Sequence, residues 1–221
     1  MEKLIVTLLM GLLLIPGLTV AQKSKMELKG IPFPLEIKNC PVACSITGDS
    51  ILELAAAGKT NLFVSPSGRY NVQNAPMVLF TPDSDFTFVA RATGNLEAVY
   101  DVAALVLYQD SAYWAKFCFE NSVSKQPTIV SVVTRNYSDD CNSITVGDSF
   151  AYLAVIKKGL EVSFHYSADG KQWRMIRNFR LETGKNLKIG FAVHGSRGDG
   201  FKARFSQIRY LPTVPKDLRT F

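Results

Sequence analysis

The stretch YDVAALVLYQDSAYWAKFCFENSVSKQPTIVSVVTRNYSD, from Tyr100 to Asp139, contains three runs in which apolar residues alternate with other residues. Alternation of this kind predicts β-strands that turn one face to a core and the other face outward. In the second run the core face carries Tyr113, Ala115, Phe117 and Phe119, and the opposite face carries Trp114, Lys116, Cys118 and Glu120. The polar segment Asn121–Pro127 then leads to Thr128–Arg135, which predicts an antiparallel hairpin. The strand register decides which face of Thr128–Arg135 joins Lys116.

Short apolar runs recur along the rest of the chain at intervals of about ten residues, as in sandwiches and barrels. No run with helical periodicity is long enough to predict a helix. The pattern indicates an all-β protein, an antiparallel sandwich or barrel. The other expected strands are Phe33–Ile37, Ile51–Ala57, Leu62–Val64, Met77–Thr81, Phe86–Ala92, Val102–Tyr108, Tyr152–Ile156, Leu160–Tyr166, Trp173–Phe179, Leu187–Val193 and Ala203–Leu211.

A set of short motifs follows the order and spacing of a known family. The motifs are Tyr100–Leu105, Trp114–Lys116, Ser131–Arg135, Tyr137–Asp139, Tyr166–Trp173 and Gly200–Phe205. With them the chain resembles the domain-of-unknown-function family that includes the "regulation of enolase" protein, within the concanavalin A-like lectin/glucanase superfamily. The resemblance implies an antiparallel two-sheet jelly-roll sandwich with one concave face, and no settled activity. The chain departs from the family at Val102 and Ala104, where Gln and Gly are common, and at Asp140, where an aromatic residue is common.

The first 21 residues have the pattern of a secretory signal peptide: Lys3 supplies a positive charge, Leu4–Ile15 is apolar, and Thr19–Ala21 provides small residues before the cut. About 12 apolar residues are too few to cross a bilayer, which takes roughly 20, so we expect no transmembrane segment. We therefore expect a secreted or periplasmic protein. Its expected organisation is a signal peptide at residues 1–21, a single sandwich domain at 22–211 and a C-terminal tail at 212–221.

The chain of 221 residues has 47% hydrophobic residues and a formal net charge of +6, which is compatible with a packed core. Its Lys and Arg residues are scattered along the sequence, so we expect no nucleic-acid partner. The sequence motifs of zinc proteases, serine hydrolases, phosphate-binding loops and dinucleotide-binding folds are absent. We expect no metal and no cofactor.

Four cysteines occur, at positions 40, 44, 118 and 141. An even number of cysteines in an exported protein permits two disulfides. A Cys40–Cys44 bridge would close a small loop, and a Cys118–Cys141 bridge would tie a strand to the segment after its hairpin. The pairing stays open at this point, and a zinc site is disfavoured because both histidines lie far away in sequence.

Eight residues form the predicted ligand site on the outward faces of the central strands and on the loop that follows them. They are Arg91, Tyr108, Trp114, Lys116, Glu120, Arg135, Tyr137 and Asp139. Aromatic rings stack on sugar faces and charged groups hydrogen-bond sugar hydroxyls, so this set predicts binding of a glycan or another extracellular ligand. The alternative is that Lys116 and Glu120, four residues apart on one strand, are ordinary solvated charges that pair with residues of neighbouring strands.

Two other functions stay open. Glycoside hydrolysis needs two carboxyl groups, and Glu120 with Asp139 or Asp101 would supply them, although the ExDxxE motif of the superfamily's glucanases is absent. The same face would also serve a protein partner. His165 is expected to point outward and is a further candidate base, although a partly exposed structural histidine is the simpler interpretation.

Overall fold

The computed structural model describes residues 26–182, 184 and 186–221, so the predicted signal peptide lies outside the described residues. Within these ranges all regular elements are β-strands, and no helix is long and apolar enough to cross a membrane. The strands are β1 (Glu36–Lys38), β2 (Ala43–Thr47), β3 (Ile51–Ala57), β4 (Leu62–Val64), β5 (Asn71–Gln73), β6 (Met77–Phe80), β7 (Phe86–Gly94), β8 (Asp101–Tyr108), β9 (Tyr113–Asn121), β10 (Pro127–Arg135), β11 (Tyr137–Thr145), β12 (Phe150–Lys158), β13 (Glu161–Ser167), β14 (Arg174–Arg180), β15 (Lys188–Gly195) and β16 (Gly200–Leu211).

Two seven-stranded antiparallel sheets pack face to face and confirm the predicted jelly-roll sandwich. The first sheet has the strand order β1-β6-β15-β8-β9-β10-β11, and the second has the order β14-β13-β12-β7-β16-β3-β2. The expectation of a loop after Arg135 is wrong, because β11 pairs with β10 along its whole length. This strand lies at the edge of the first sheet, and most of its residues are exposed and polar. An apolar alternation was therefore missing from its sequence.

The core between the sheets is built from the faces that the alternation predicts. Ala115, Phe117 and Phe119 of β9 are fully buried in it. The ring of Phe117 stacks on that of Phe164 in the second sheet, with the ring centroids 4.9 Å apart. Burial of one such side chain stabilises a fold by about 1.5–3 kcal/mol. This layer of aromatic side chains holds the two sheets together.

The β9–β10 hairpin forms as predicted, and its register settles which residues share a face. Lys116 lies opposite Val132 and Glu120 lies opposite Thr128. Directly opposed residues point to the same side of a sheet. Lys116 and Glu120 therefore share the outer face of the first sheet with Val130 and Val132, whereas Ile129 and Val133 point into the core.

A separate two-stranded sheet, β4 with β5, covers part of that outer face, and we call residues 62–73 the covering hairpin. Leu62 and Val64 of this hairpin are buried in a second apolar cluster together with Trp114 of the first sheet. The backbone N–H of Val64 donates a hydrogen bond to Ser138 Oγ, at 3.0 Å. The expectation that Trp114 is exposed is wrong: its indole is fully buried in this cluster.

The C-terminal segment 212–221 packs back on the outer face of the second sheet. Leu218 is buried, and the ring of Phe221 lies 5.0 Å from that of Trp173 and 5.3 Å from that of His165. His165 does point to the outer face, as expected, but it is fully buried there and is not partly exposed. Burial lowers the pKa of His165 to about 4, and a backbone hydrogen bond to Leu218 opposes this only in part. His165 is thus a structural residue beneath the C-terminal segment.

All four cysteines are free thiols in the structure. Cys118 lies opposite Val130 and Cys141 lies opposite Ser131, so their side chains point to opposite faces of the first sheet. This placement contradicts the Cys118–Cys141 bridge. The Cys40–Cys44 bridge is not formed either, and Cys44 Sγ instead lies 3.8 Å from Met26 Sδ.

Candidate functional site

A cavity of about 740 Å³ opens between the outer face of the first sheet and the covering hairpin. Its volume lies within the range of about 300–1,000 Å³ that is typical of small-molecule sites. The floor is formed by Lys116, Glu120, Val130 and Val132. The wall is formed by Phe63, Tyr70 and Val72 of the covering hairpin. The rim includes Lys59, Val123, Asp140 and Arg197. We call this cavity the hairpin pocket.

The polar groups of the floor come from distant parts of the chain. His194 of β15 lies opposite Val102 of β8, which in turn lies opposite Glu120 of β9. The imidazole and the carboxyl group therefore belong to one row across three strands. Lys116 precedes Glu120 on the same face, and its Nζ lies 3.0 Å from His194 Nε2, on the far side of β8. The small side chain of Ala104, on the row between them, leaves space for the lysine chain.

A directed chain of hydrogen bonds begins at Lys116. Ser196 Oγ donates to the carbonyl oxygen of Thr60 at 3.1 Å, and His194 Nδ1 lies 3.2 Å from Ser196 Oγ. Since the hydroxyl proton is directed to the carbonyl, Ser196 Oγ accepts from the Nδ1–H of His194. The Nε2 atom is then bare and accepts from Lys116 Nζ. Burial, followed by the charge of Lys116, lowers the pKa of His194, which agrees with a neutral ring.

Glu120 is the second buried polar group of the floor. Glu120 is only 7% exposed, and its carboxyl group makes no hydrogen bond with any described residue. Burial raises the pKa of Glu120 to about 7; Lys116 opposes the rise and Asp140 adds to it. A carboxyl group that titrates near neutral pH inside a pocket is typical of functional sites. It can donate a hydrogen bond when protonated and accept when ionised.

The structure brings only Lys116 and Glu120 of the eight predicted site residues together in the hairpin pocket. Arg91 belongs to β7 in the second sheet, where its guanidinium lies 3.9 Å from the ring centroid of Phe150. Arg91 therefore does not share a face with the central hairpin. Tyr108 shares the outer face with Trp114, but it is partly buried beside the second apolar cluster, with Lys38 Nζ 5.0 Å from its ring centroid.

The three predicted residues of the β10–β11 region lie outside the pocket as well. Arg135 donates to the carbonyl oxygen of Arg180. Tyr137 is 55% exposed. Asp139 pairs with Arg177, with Oδ2 and Nη2 3.2 Å apart. These contacts hold β10 and β11 against β14 and leave Arg135 and Asp139 on the side of the sheet that faces away from the pocket.

The carboxyl partners proposed for Glu120 do not line the pocket. Asp139 forms the ion pair with Arg177, and Asp101 accepts hydrogen bonds from the backbone N–H groups of Glu97 and Ala98 at 3.1 and 2.8 Å. Asp140 does line it, opposite Val132 in the register. One position at which the chain departs from the family thus contributes a carboxylate to the rim.

Sequence reasoning missed His194, Tyr70 and Asp140 as pocket residues. His194 was identifiable only as the start of a glycine-rich turn, since Lys116 is 78 residues away in sequence. Tyr70 follows a turn, and Val72 alone continues an apolar alternation from it. No local signal connects either residue with the central hairpin.

A family model described as "Protein of unknown function (DUF1349)" matches residues 38–213. The chain belongs to this family. Among curated proteins the chain is 29% identical over 138 residues to "Regulation of enolase protein 1" of Saccharomyces cerevisiae, and the match covers 61% of this chain and 68% of that protein. The resemblance inferred from the short motifs is thereby confirmed.

Solved structures agree on the sandwich fold. A functionally unknown protein from Saccharomyces cerevisiae superposes with a TM-score of 0.75 at 20% identity, over 86% of this chain and 100% of that one. A xylan beta-1,4-xylosidase from Bacillus halodurans matches with a TM-score of 0.60 at 13% identity, over 79% of this chain and 38% of the enzyme. The exoplasmic/lumenal domain of VIP36, in its Ca²⁺/Man3GlcNAc-bound form, matches with a TM-score of 0.50 at 11% identity. The match covers 83% of this chain and 85% of that domain. At these identities the comparisons show the fold alone.

Proposed function

We propose that this protein is an exported carbohydrate-binding protein whose ligand occupies the hairpin pocket. The observation that carries the proposal is the pairing of an aromatic wall with a floor that holds two buried polar groups open to the cavity, Lys116 and Glu120. Aromatic rings stack on the apolar faces of sugars, and charge-assisted hydrogen bonds from the floor orient the hydroxyl groups. The VIP36 domain and the xylosidase, which share the fold, are a sugar-bound protein and a xylan-cleaving enzyme by their own descriptions.

Tyr70 is the central stacking residue in this proposal. Its ring is 43% exposed, lies 6.5 Å from that of Phe63, and its hydroxyl accepts a hydrogen bond from Asn61 Nδ2 at 3.2 Å. A large ring that is held in place at the mouth of a cavity is available for a sugar face. Loss of one stacking ring weakens sugar binding by about 1–2 kcal/mol, or about 10-fold.

A glycan array with the chain from Gln22 onward tests the proposal. We expect specific glycan binding that Tyr70→Ala reduces by about 10-fold or more. Tyr137→Ala is the control, because Tyr137 is also exposed, at 55%, but does not line the hairpin pocket. Equal losses in both variants would contradict the placement of the site. Binding to a protein partner with no glycan binding would instead identify an interaction module.

Glycoside cleavage is a second candidate, favoured by the presence of Glu120 and Asp140 on one pocket. A carboxyl group that stays protonated near neutral pH can act as the general acid, and an ionised one as base or nucleophile. The test is release of reducing sugar from any glycan that the array identifies. Glu120→Gln should abolish this release while binding persists. Absence of release by the unaltered chain would exclude this candidate for those glycans.

A further inference from the structure

We propose that the sugar bound in the hairpin pocket is acidic, and that its carboxylate binds at Lys116 Nζ. This inference rests on the proposed function and deepens it, because it names the chemical class of the ligand. Four features of the described residues support it: the burial of the lysine, the neutrality of its partner, the charge of the rim, and the shape of the cavity.

Lys116 is a buried basic residue that forms no ion pair with the buried Glu120 on the same floor. The residue is only 3% exposed, and its hydrogen-bond partner is the imidazole of His194. Among the described residues it forms no ion pair. Removal of an ammonium group from water is costly unless an anion pairs with it. A ligand carboxylate at this point would supply the missing anion.

The hydrogen-bond chain behind Lys116 orients its remaining donors. Thr60, Ser196 and His194 fix the direction of each bond, so that His194 Nε2 can only accept. An ammonium group has three N–H donors, and one is used by His194. The other two N–H donors of Lys116 are available to a ligand in the cavity that Lys116 lines. A carboxylate, which only accepts, is the complementary group.

The rim adds positive charge at the entrance. Lys59 and Arg197 line the pocket, are exposed, and form no ion pair with a described residue. The opposing charges are Asp140 on the rim and Glu120 on the floor, and Glu120 is largely protonated below neutral pH. Three basic side chains therefore line a pocket that holds two carboxyl groups, Asp140 and the buried Glu120. This balance attracts an anion by long-range electrostatics.

The shape of the cavity favours an acidic sugar over a small free anion. Its volume of about 740 Å³ exceeds what a single anion needs. Tyr70 and Phe63 on the wall provide apolar surface for a ring face, whereas a free anion would gain nothing from them. Glu120, which lies four residues beyond Lys116 on the same strand face, is then free to hydrogen-bond a hydroxyl of the same or the next sugar.

A panel of oligouronides tests the inference. The array carries each oligomer in two forms, the free acid and its methyl ester, which differ in charge but not in the sugar ring. The oligomers are those of galacturonate, glucuronate, mannuronate and guluronate. Calorimetry then measures affinity for each form that binds. We expect at least one acid form to bind about 10- to 100-fold more tightly than its ester, as for loss of a charge-assisted hydrogen bond.

Lys116→Met removes the charge but keeps a chain of similar length, and Lys171→Met, in an exposed turn, is the matched control. The difference between acid and ester should vanish in Lys116→Met and persist in Lys171→Met. Thermal unfolding checks that both variants are folded. If Lys116→Met does not fold, the inference is tested by the ratio of the affinities of the unaltered chain for the acid and for its ester.

The outcomes separate this inference from the proposed function. Equal binding of acid and ester, or tighter binding of a neutral or sulfated glycan, would overturn the inference and leave carbohydrate binding intact. Tight binding of free acetate or sulfate with no binding of oligouronides would also overturn it. If no glycan binds at all, both the inference and the proposed function fail.

Discussion

Glu120→Gln should make the protein more stable at neutral and alkaline pH. Burial raises the pKa of Glu120 from its usual value of 4.5 to about 7. Below pH 4.5 the carboxyl group is protonated in the folded and in the unfolded chain, so it has no effect on the free energy of unfolding. As the pH rises from about 4.5 to 7, the unfolded chain releases the proton while the folded chain keeps it. Stability therefore falls through this window and stays low above it.

The size of the effect follows from the two pKa values. A difference between 4.5 and about 7, at about 1.4 kcal/mol for each pH unit, corresponds to about 3 kcal/mol. No large discount for solvent screening applies, because the residue is 7% exposed. Glutamine has the same shape and cannot ionise. At pH 8 we thus expect the free energy of unfolding of Glu120→Gln to exceed that of the unaltered chain by about 3 kcal/mol. At pH 4.5 we expect little difference between the two.

Urea unfolding at a series of pH values from 4 to 8 measures this difference directly. Groups that titrate alike in both proteins cancel in the comparison. Glu182→Gln is the control, since Glu182 is exposed and pairs with Arg180 on the surface. If the unfolding free energies of Glu120→Gln and the unaltered chain run in parallel from pH 4 to 8, the reasoning about Glu120 is refuted.

Three further changes test the fold around the pocket. Trp114→Ala should lower the free energy of unfolding in urea by about 3–5 kcal/mol, because the ring is fully buried. Trp114→Phe should lower it much less, because the indole N–H has no hydrogen-bond partner among the described residues. Equal small losses in both variants would contradict burial of this ring. Gly190→Ala should lower the melting temperature strongly, since its methyl group would lie 2.0 Å from the carbonyl oxygen of Val78, and an unchanged melting temperature would contradict the close approach of β15 to β6. Removal of residues 217–221 should raise the pKa of His165 from about 4 toward 6.5 in an NMR titration, while His194 stays unprotonated as the internal control.

The sandwich and its central hairpin were predictable because the signal is local. β9 alternates apolar core residues with others, and the loop Asn121–Pro127 is short enough to favour an antiparallel pair with β10. The same alternation placed Lys116 and Glu120 together on the outer face. These two residues belong to one strand, so their position on a common face can be predicted without knowing the rest of the fold.

The rest of the pocket was not predictable, since it depends on contacts between distant segments. The burial of Trp114 results from the covering hairpin. Leu62–Val64 was an expected strand, but its three residues do not indicate which sheet it packs on. His194 reaches Lys116 from a strand late in the chain, and Arg91 leaves the site because β7 joins the second sheet. Alternation tells which residues share a face of a strand, but not which strand lies beside it or what covers it.

The covering hairpin has a consequence for how ligands are selected. It is anchored to the sandwich by the side chains of Leu62 and Val64 and by the hydrogen bond from Val64 to Ser138, all in its first strand. The turn, residues 65–70, includes exposed positions that carry little of this anchoring. Its length and composition can therefore vary at small cost to folding. We expect related sequences and engineered variants to acquire new ligand preferences by exchange of this turn, over a floor that remains the same.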